Sequence, residues 1–526
     1  MKELIQSQRS WNEFNTTGHV GIITTLFSEQ YLSDSYNLLK LSNENYIEDI
    51  ELNGIDTVFI DNDLFESDHE WYRKNRGNLI NYLKNNNKNI CVIKNTTLEV
   101  AQIFKKAFIM VVNPQIESYL NNEFIVETPI LINQNIFNPI DSKMTSDIVY
   151  LNIGRPNKTL QKRKYNQKEE LLISNLTSPK ITRKILEELF EKIRDTKILY
   201  IDNTNQLDQI TLKYIEYICY ITTTYIIYDH KFELDEQLFI TEDFSTLNNK
   251  ISMYLKNPNH LFKEIVLRQR EALINNSFLL KQNLKDFLDS QLNKDITPHV
   301  SIITSTNRKE NLTDYLKRMN EQKYVKLEIN LVTHGFVLTN EEKMKLINNA
   351  DFNLNIFDMD SNMSLGNCLN LAIDNCNYPI ITKVDDDDFY FENYIIDQWL
   401  ALKYSGAELV GKSECFYYFE SKNIIAKRNM GENQKFGDFV MGATIMTNSD
   451  TMRKIKFDNI PRAVDTNFIR RLLEGDGTLY IGHPFELCVY RSSDSTNHTW
   501  QVEDLSMLKN ANIVGYGDPR SYVSLK

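Results

Sequence analysis

Four consecutive aspartates, Asp385 to Asp388, are the part of the sequence whose residue types and spacing most directly suggest chemistry. They follow the apolar run IITKV, 380–384, and an aromatic segment begins immediately after them. Like charges in a row repel one another, so these side chains lie either in a solvated turn or next to strong positive charge. Carboxylate oxygens are the ligands that Mg²⁺ and Mn²⁺ prefer in proteins. The pattern is therefore typical either of an exposed acidic turn or of a cation site that also holds a diphosphate.

The elements that must position the aspartates form a strand–helix–strand pattern that starts near residue 298. Three apolar runs, VSIITSTNR (300–308), EINLVTHG (328–335) and IITKV, have the length of buried strands, and polar residues follow each of them. In open α/β sheets, ligands bind beyond the carboxyl ends of the strands. We therefore expect these three ends to meet at one crevice, with the four aspartates at its mouth.

The same region is similar to a known family. VSIITSTNRKENLTDYLKRMNEQKYVKLEINLVTHG, followed by MSLGNCLNLAIDNCNYPIITKVDDDDFYFENYI, resembles the family 2 glycosyltransferases with a GT-A fold. The resemblance covers roughly 298–500 and includes a strand ending in a Thr-x-Asn-Arg-like turn and an Asp-x-Asp motif. It implies a transferase domain that binds a nucleotide-diphosphate sugar together with a divalent metal, Mn²⁺ or Mg²⁺.

On this resemblance, Asp385 and Asp387 fall on the Asp-x-Asp motif of the family. Asp387 is expected to contact the metal directly, and Asp385 to lie nearer the ribose or to reach the metal through water. The run of four leaves an ambiguity of one residue, so Asp386 or Asp388 could share either role. His498, in a polar loop after the last predicted strand, could complete the metal shell, or it could simply be solvated.

The resemblance also implies a set of nucleotide-sugar contacts. They are Thr304, Thr306, Asn307, Arg308, His334, Asn370, Lys383, Asp385, Asp386 and Arg491. The chain departs from the family at Thr333–His334, where many members carry an Asp, and at Asn367–Cys368, where a basic residue is frequent. Recognition of the base and the sugar could therefore differ from the family pattern.

The stretch IPRAVDTNFIRRLLEGDG, 460–477, resembles the acidic acceptor motif that opens a helix in this family. Asp465 would then be the catalytic base, because an inverting transfer requires a proton to be taken from the attacking hydroxyl. The alternative is that Asp465 merely caps the helix, a position where Asp is preferred.

Residues before the predicted transferase domain read as alternating strands and helices, a pattern typical of parallel, doubly wound sheets. Strands are predicted at 19–27, 56–63, 88–95 and 107–114, and a helix at 28–42. Residues 1–290 resemble a GT-B glycosyltransferase of the spore-maturation type. Glu216 is present, but 216–225 contains no Gly of the kind that usually lets backbone amides approach a diphosphate.

The expected fold class is thus α/β, with a GT-B-like pair of Rossmann-like domains followed by a GT-A domain. The predicted domains are 1–145, 146–292 and 297–526. The GT-B-like half is expected to be non-catalytic and to serve assembly or acceptor binding. It offers surface for a homo-oligomer, although the oligomeric state stays open.

Composition narrows the class of partners. The chain of 526 residues has a formal net charge of −12, which argues against a general nucleic-acid binder. No apolar run reaches the ~20 residues needed to span a bilayer, and no secretory signal is visible. Six scattered cysteines without CxxC spacing favour a reducing compartment. We expect a cytoplasmic protein, with peripheral membrane attachment left open.

The sequence therefore favours a metal-dependent inverting glycosyltransferase that moves a hexosyl or N-acetylhexosaminyl group. Its donor would be a nucleotide sugar, UDP-linked in most such families, and its acceptor a hydroxyl of a glycan, a lipid-linked intermediate or a protein. A sugar-nucleotide pyrophosphorylase is disfavoured because STNRKENL, 305–312, contains no Gly. The remaining alternative is a non-catalytic carbohydrate-binding or scaffold protein derived from glycosyltransferases.

Overall fold

The structure is a computed structural model of the chain. It describes residues 20–23, 38–61, 71, 76–86, 88–93, 108–111, 125–127, 137–153, 168–173, 183–202, 207, 209–228, 244–276, 297–428, 433–493 and 504–526. The chain divides into two compact units. Unit 1 comprises 1–137, 143–261 and 271–294, and unit 2 comprises 138–142, 262–270 and 295–526. The three predicted domain boundaries remain a prediction.

The first sheet of unit 1 is parallel throughout its described strands, in the order β2-β1-β3-β4-β5-β6. The strands are β1 Val20–Ile23, β2 Leu38–Lys40, β3 Thr57–Asp61, β4 Asn89–Ile93, β5 Phe108–Val111 and β6 Ile125–Glu127. Helices α1 Tyr46–Leu52 and α2 Arg76–Asn85 lie between strands in the chain. The four predicted strands are confirmed. The helix predicted over 28–42 is wrong at its end, because Leu38–Lys40 pairs with β1 and that long-range pairing overrides the local preference.

The second sheet of unit 1 is also parallel, in the order β10-β9-β7-β8. Its strands are β7 Ser146–Ile153, β8 Lys168–Ile173, β9 Thr196–Asp202 and β10 Tyr225–Tyr228. The helices of this region are α3 Arg183–Arg194, α4 Gln209–Ile221, α5 Phe244–Lys256 and α6 Pro258–Asn276. Pro258 stands at the first position of α6, where the missing amide proton costs no hydrogen bond. Residues 262–270 of α6 belong to unit 2.

Unit 2 contains two sheets. Its strands are β11 His299–Thr306, β12 Lys326–His334, β13 Asn353–Met359, β14 Ile380–Lys383, β15 Phe389–Tyr390, β16 Leu409–Gly411, β17 Cys415–Phe419, β18 Ile424–Arg428, β19 Lys435–Phe436, β20 Met446–Asn448, β21 Leu479–Ile481, β22 Leu487–Arg491 and β23 Ala511–Tyr516. The larger sheet has the order β13-β12-β11-β14-β20-β16-β21-β19, and the smaller has the order β15-β22-β17-β18-β23. The first four strands of the larger sheet run parallel, and β20 is antiparallel to β14. The predicted α/β class with parallel sheets is confirmed.

The helices of unit 2 cover and connect these sheets. They are α7 Leu312–Asn320, α8 Asn340–Asn348, α9 Leu365–Asp374, α10 Tyr394–Ser405, α11 Ser449–Ile455, α12 Val464–Glu474, α13 Asp504–Leu508 and α14 Arg520–Val523. Apolar residues of α9 and α12, including Leu369 and Phe468, pack with Ile303 and Val332 of the parallel strands in one core. None of the described helices is both long and apolar enough to cross a lipid bilayer.

Candidate active site

The three strand ends that were predicted to meet lie at the carboxyl edge of the larger sheet of unit 2. Strands β12, β11 and β14 are neighbours, with Thr333 opposite Thr306 and Lys383 opposite Ile303. The ends of these strands therefore carry His334, the Thr306–Arg308 turn and the four aspartates to one edge, as the parallel topology requires.

Asp386 is a structural carboxylate at the centre of this edge, since its side chain is only 1% exposed. Arg308 donates two hydrogen bonds to it, from Nη2 to Oδ1 at 2.6 Å and from Nε to Oδ2 at 3.1 Å. The Thr306 hydroxyl and the Asn311 amide add bonds of 2.8 and 3.0 Å to Oδ2. Charge-assisted, bidentate pairs of this kind are strong and fix geometry. Asp386 thus anchors the turn between β14 and β15.

Asp385 and Asp387 are the open members of the four. Their side chains are 38% and 29% exposed, against 1% for Asp386. Asp385 accepts a 2.6 Å bond from Lys383 Nζ, and Asp387 accepts one of the same length from Arg308 Nη1. Within the described part of the chain, the second oxygen of each carboxylate makes no hydrogen bond. Burial raises the pKa of Asp387, the Arg308 charge lowers it, and the Asp385 and Asp386 charges raise it further.

Asp388 points the other way, because its buried carboxylate accepts a 3.0 Å bond from the Tyr490 amide. Burial raises the pKa of Asp388 well above its usual range, and the charges of Asp387 and Asp385 add to the rise. The one-residue ambiguity left by the sequence therefore narrows on geometric grounds to Asp385 and Asp387.

The donor chemistry of Asp385 and Asp387 fits a divalent cation. Both offer a hard carboxylate oxygen, and Mg²⁺ is commonly held by one or two carboxylates together with water and substrate phosphates. Across the described residues, no group of three or more His, Cys, Asp and Glu side chains is arranged to hold a metal ion. His498, the third predicted ligand, lies outside the described residues.

Lys383 links the aspartates to Asp465. Its ammonium group is buried and lies 2.6 Å from Asp385 Oδ1 and 3.6 Å from Asp465 Oδ2. Burial acts to lower the pKa of Lys383, but the charges of Asp385 and Asp465 outweigh it, and the net shift is upward. Lys383 is therefore a fixed positive charge between the two carboxylates.

Asp465 lies in the first turn of α12 but does not cap it. The N-cap residue is Ala463, with φ of 58°, and it makes no side-chain capping bond. The capping alternative for Asp465 is therefore wrong. Asp465 Oδ1 is buried and has no hydrogen-bond partner among the described residues. Burial raises the pKa of Asp465, Lys383 lowers it and Asp385 raises it, with a net upward shift that makes the carboxylate a better base.

The backbone turn at Gly442 approaches Asp465 so closely that only glycine fits. A Cβ atom built on Gly442 would lie 2.0 Å from Asp465 Oδ2. We expect Gly442→Ala to push Asp465 away from Lys383. On the hypothesis that Asp465 is the base, kcat should fall roughly 100-fold, since an error of about 1 Å in a catalytic group costs that much. Gly475→Ala is the control, because its Cβ would meet nothing closer than 3.5 Å. Equal turnover of the two variants would contradict this account of Gly442.

Thr304, Thr306 and Asn370 make hydrogen bonds within the protein. The buried Thr304 hydroxyl donates to the Val384 carbonyl at 2.7 Å. Thr306 binds Asp386, as described above. The Asn370 side chain makes two 2.8 Å bonds to the backbone of Phe457. Their predicted nucleotide contacts remain predictions, and the geometry favours a positioning role.

The other predicted contacts differ in accessibility. Asn307 is exposed next to Arg308. His334 is half-buried at the end of β12, and within the part of the chain that the structure describes its Nε2 has no hydrogen-bond partner. Arg491 is buried and lies 3.4 Å from Asp504 Oδ1. Asn307 and His334 are therefore the better placed of the three for a ligand at this edge.

Sequence reasoning missed several residues that shape the site. Asn311 is the N-cap residue of α7, and Tyr315 and Arg318 follow it at i+4 and i+7, so the three side chains lie along one face of the helix. That face reaches Asp386 Oδ2, the Thr304 hydroxyl and the Asp386 carbonyl, respectively. The sequence signal that could have identified these three residues is their helical spacing directly after the end of strand β11.

No protein-family model and no curated protein matches the chain. Among solved structures, residues 1–349 of S. aureus TarS align with 14% identity and a TM-score of 0.29, over 36% of this chain and 60% of that one. The TarS complex with UDP-GlcNAc aligns with 13% identity and a TM-score of 0.29, over 43% and 63%. The mannosyltransferase PcManGT from Pyrobaculum calidifontis, in complex with GDP-Man and Mn²⁺, aligns with 15% identity and a TM-score of 0.31, over 38% and 58%. The chain thus spans less than two thirds of the length of these structures, which are two forms of TarS and a mannosyltransferase. The description of its fold therefore depends on its own strand order.

Proposed function

We propose that the chain is a metal-dependent, inverting glycosyltransferase whose active site lies at the carboxyl edge of the larger sheet of unit 2. Unit 2 would be a GT-A domain, with a UDP-sugar as donor and a hydroxyl of a glycan, glycolipid or glycoprotein as acceptor. The observation that carries the proposal is the buried Lys383, which lies between Asp385 and Asp465 at 2.6 and 3.6 Å. It supports an arrangement in which a donor-binding carboxylate and a half-buried base lie side by side.

The proposed donor end consists of Asp385, Asp387 and the cations next to them. A bound divalent cation would neutralise the diphosphate and stabilise the charge that develops on the leaving group. Asp387 and Asp385 would hold it through their open oxygens. Arg308 keeps Asp387 in place, and its positive charge opposes the rise in the pKa of Asp387 that burial causes.

The proposed acceptor end is Asp465. Its carboxylate would take the proton from the acceptor hydroxyl as that oxygen attacks the anomeric carbon. Its raised pKa and its buried, unbonded Oδ1 support a proton-accepting role, because a new O–H group is the partner that this oxygen lacks. Lys383 would attract Oδ2 of Asp465 and thereby fix the orientation of the carboxylate, so that Oδ1 is the oxygen that accepts the proton.

Unit 1 is proposed to be a GT-B-like pair of Rossmann-like sheets without transfer activity. Its two parallel sheets support the architecture. Thr223, in the turn after α4, has φ of 63°, a conformation that normally favours glycine. The β-branched side chain of Thr223 would keep a diphosphate from approaching the backbone closely at this turn, which supports a domain that does not bind the donor.

The proposal predicts that Asp387→Ala weakens UDP binding in Mn²⁺ by roughly 100-fold, since even indirect partners of a metal cost 10- to 100-fold in affinity. Calorimetric titration with and without Mn²⁺ measures this effect. Asp314→Ala, at an exposed position of α7, is the matched control. Metal-dependent binding of UDP by Asp387→Ala at wild-type affinity would remove Asp387 from the site.

The activity itself is tested by UDP release from a panel of UDP-sugars, with Mn²⁺ or Mg²⁺ and candidate acceptors. Release that depends on metal and acceptor is the expected result. Absence of release across nucleotide sugars, together with binding of glycans, would favour a non-catalytic carbohydrate-binding protein instead.

A further inference from the structure

A buried network of charged side chains lies within unit 2, away from the aspartates. Arg270, from the 262–270 segment of α6, donates to both oxygens of Asp397 at 2.7 and 2.8 Å and to Glu486 Oε1 at 2.6 Å. Its Nη1 donates to the Leu525 carbonyl at 2.9 Å. The three charged side chains are at most 5% exposed. A guanidinium fork satisfies this set of acceptors in a way that an ammonium group cannot.

The network continues from Asp397 to Lys412. His483 Nε2 lies 3.1 Å from Asp397 Oδ2, and Lys412 Nζ donates to the His483 carbonyl at 2.6 Å. Lys412 is 1% exposed. Two cations, Arg270 and Lys412, therefore balance the two carboxylates, as burial of charge requires.

The backbone of Lys412 holds the turn 442–444. Its amide donates to Thr444 Oγ1 at 2.9 Å, and its carbonyl accepts from the Met441 amide at 2.9 Å. Gln398, one residue after Asp397, donates to the Thr444 carbonyl at 2.8 Å. One side of the 442–444 turn is thus hydrogen-bonded to Lys412, a member of the network, and to Gln398, the neighbour of Asp397 in the chain.

The front of the same turn contacts the proposed base, Asp465, directly and the backbone of the proposed donor-binding residue, Asp385, through Tyr390. Gly442 lies against Asp465, where a Cβ would come within 2.0 Å of Oδ2. The Ala443 carbonyl accepts a 2.9 Å bond from the Tyr390 hydroxyl, which in turn accepts a 3.1 Å bond from the Asp385 amide. A shift of the turn would therefore change the separation of the proposed base and the donor-binding carboxylate.

We infer that Arg270, supplied by the helix that precedes the transferase region, is a positioning residue for the 442–444 turn and thereby for Asp465. The inference rests on the proposed function for its catalytic part, while its structural part stands on the contacts alone. On this inference the proposed catalytic unit includes the 262–270 segment of α6, which precedes the domain start predicted at residue 297.

The test compares the full-length chain with Arg270→Lys, which keeps the charge but loses the fork, and with Arg270→Met. Arg470→Met is the matched control, because Arg470 pairs with Glu474 on the exposed side of α12. In Arg270→Lys we expect hydrogen exchange of the Lys412 and Met441 amides to quicken about tenfold or more. We also expect kcat to fall about tenfold with an unchanged KM for the donor, because the turn contacts the Asp465 side chain but reaches Asp385 only at its backbone amide.

Exchange in the wild-type chain provides a measurement that needs no variant. The amides of Leu525, which donates to Glu486, and of Met441 are expected to exchange through one shared opening at low denaturant concentration. Separate openings, or wild-type exchange and kcat in Arg270→Lys despite a lower Tm, would overturn the positioning role. Failure of the wild-type chain to transfer any sugar would instead refute the proposed function, and the exchange data would still decide the role of Arg270.

Discussion

Asp465→Asn is expected to lower kcat by roughly 10²- to 10⁴-fold, the usual contribution of a general base. Asn cannot accept the acceptor proton, whereas its size and its contact with Gly442 stay close to those of Asp. Because the proposed donor contacts are Asp385 and Asp387, the affinity for UDP in Mn²⁺ should stay within about twofold of wild type. Steady-state kinetics and calorimetry on the same preparation measure the two quantities.

The pH dependence of the wild-type enzyme gives an independent check on Asp465. A base must be deprotonated to act, and the pKa of Asp465 is raised above its usual value. Activity should therefore be lost on acidification at a pH above the ordinary titration range of an aspartate, and Asp465→Asn should lack this limb. Asp450→Asn, an exposed first-turn aspartate of α11, is the control. Wild-type turnover of Asp465→Asn would remove Asp465 as the base.

Arg308→Met is expected to lower the free energy of unfolding by about 3 kcal/mol. Removal of one partner of a buried pair leaves the other charge uncompensated, and Asp386 is only 1% exposed. Asp386 would keep its bonds from Thr306 and Asn311, and for this reason we place the loss at the lower end of the range for such pairs. Thermal and denaturant unfolding measure the change.

The matched control for Arg308→Met is again Arg470→Met. Arg470 and Glu474 are 56% and 59% exposed, so loss of their pair should change stability by no more than about 0.5 kcal/mol. A double variant, Arg308→Met with Asp386→Asn, should recover part of the loss because the uncompensated charge is gone. Equal stability of Arg308→Met and Arg470→Met would show that Arg308 does not neutralise Asp386 in the way the distances indicate.

The prediction of secondary structure succeeded where the local pattern carried the information. The apolar runs at 57–61 and 89–93 are strands because β-branched residues and short length suit a buried parallel sheet. The segment Leu38–Lys40 was misassigned because its pairing with β1 is a long-range contact that helical spacing cannot reveal. Strand β6 was not predicted, since Ile125–Glu127 is too short for a period-two pattern.

Apolar periodicity and residue type are local properties, and they were enough to predict the α/β class and the strand that ends at the four aspartates. The candidacy of Asp465 came from the resemblance of 460–477 to the acceptor motif of the glycosyltransferase family. Only the tertiary structure decided which aspartates are open. The Asp386 carboxylate is paired with Arg308, 78 residues earlier in the chain, and the Asp388 carboxylate accepts a hydrogen bond from the Tyr490 amide, 102 residues later. The positive charge that four adjacent carboxylates require comes in part from Arg308 and Lys383. These pairings depend on which strand ends meet at one edge of the sheet. Burial at that edge then shifts the pKa of each carboxyl group, as it does for Asp387 and Asp388.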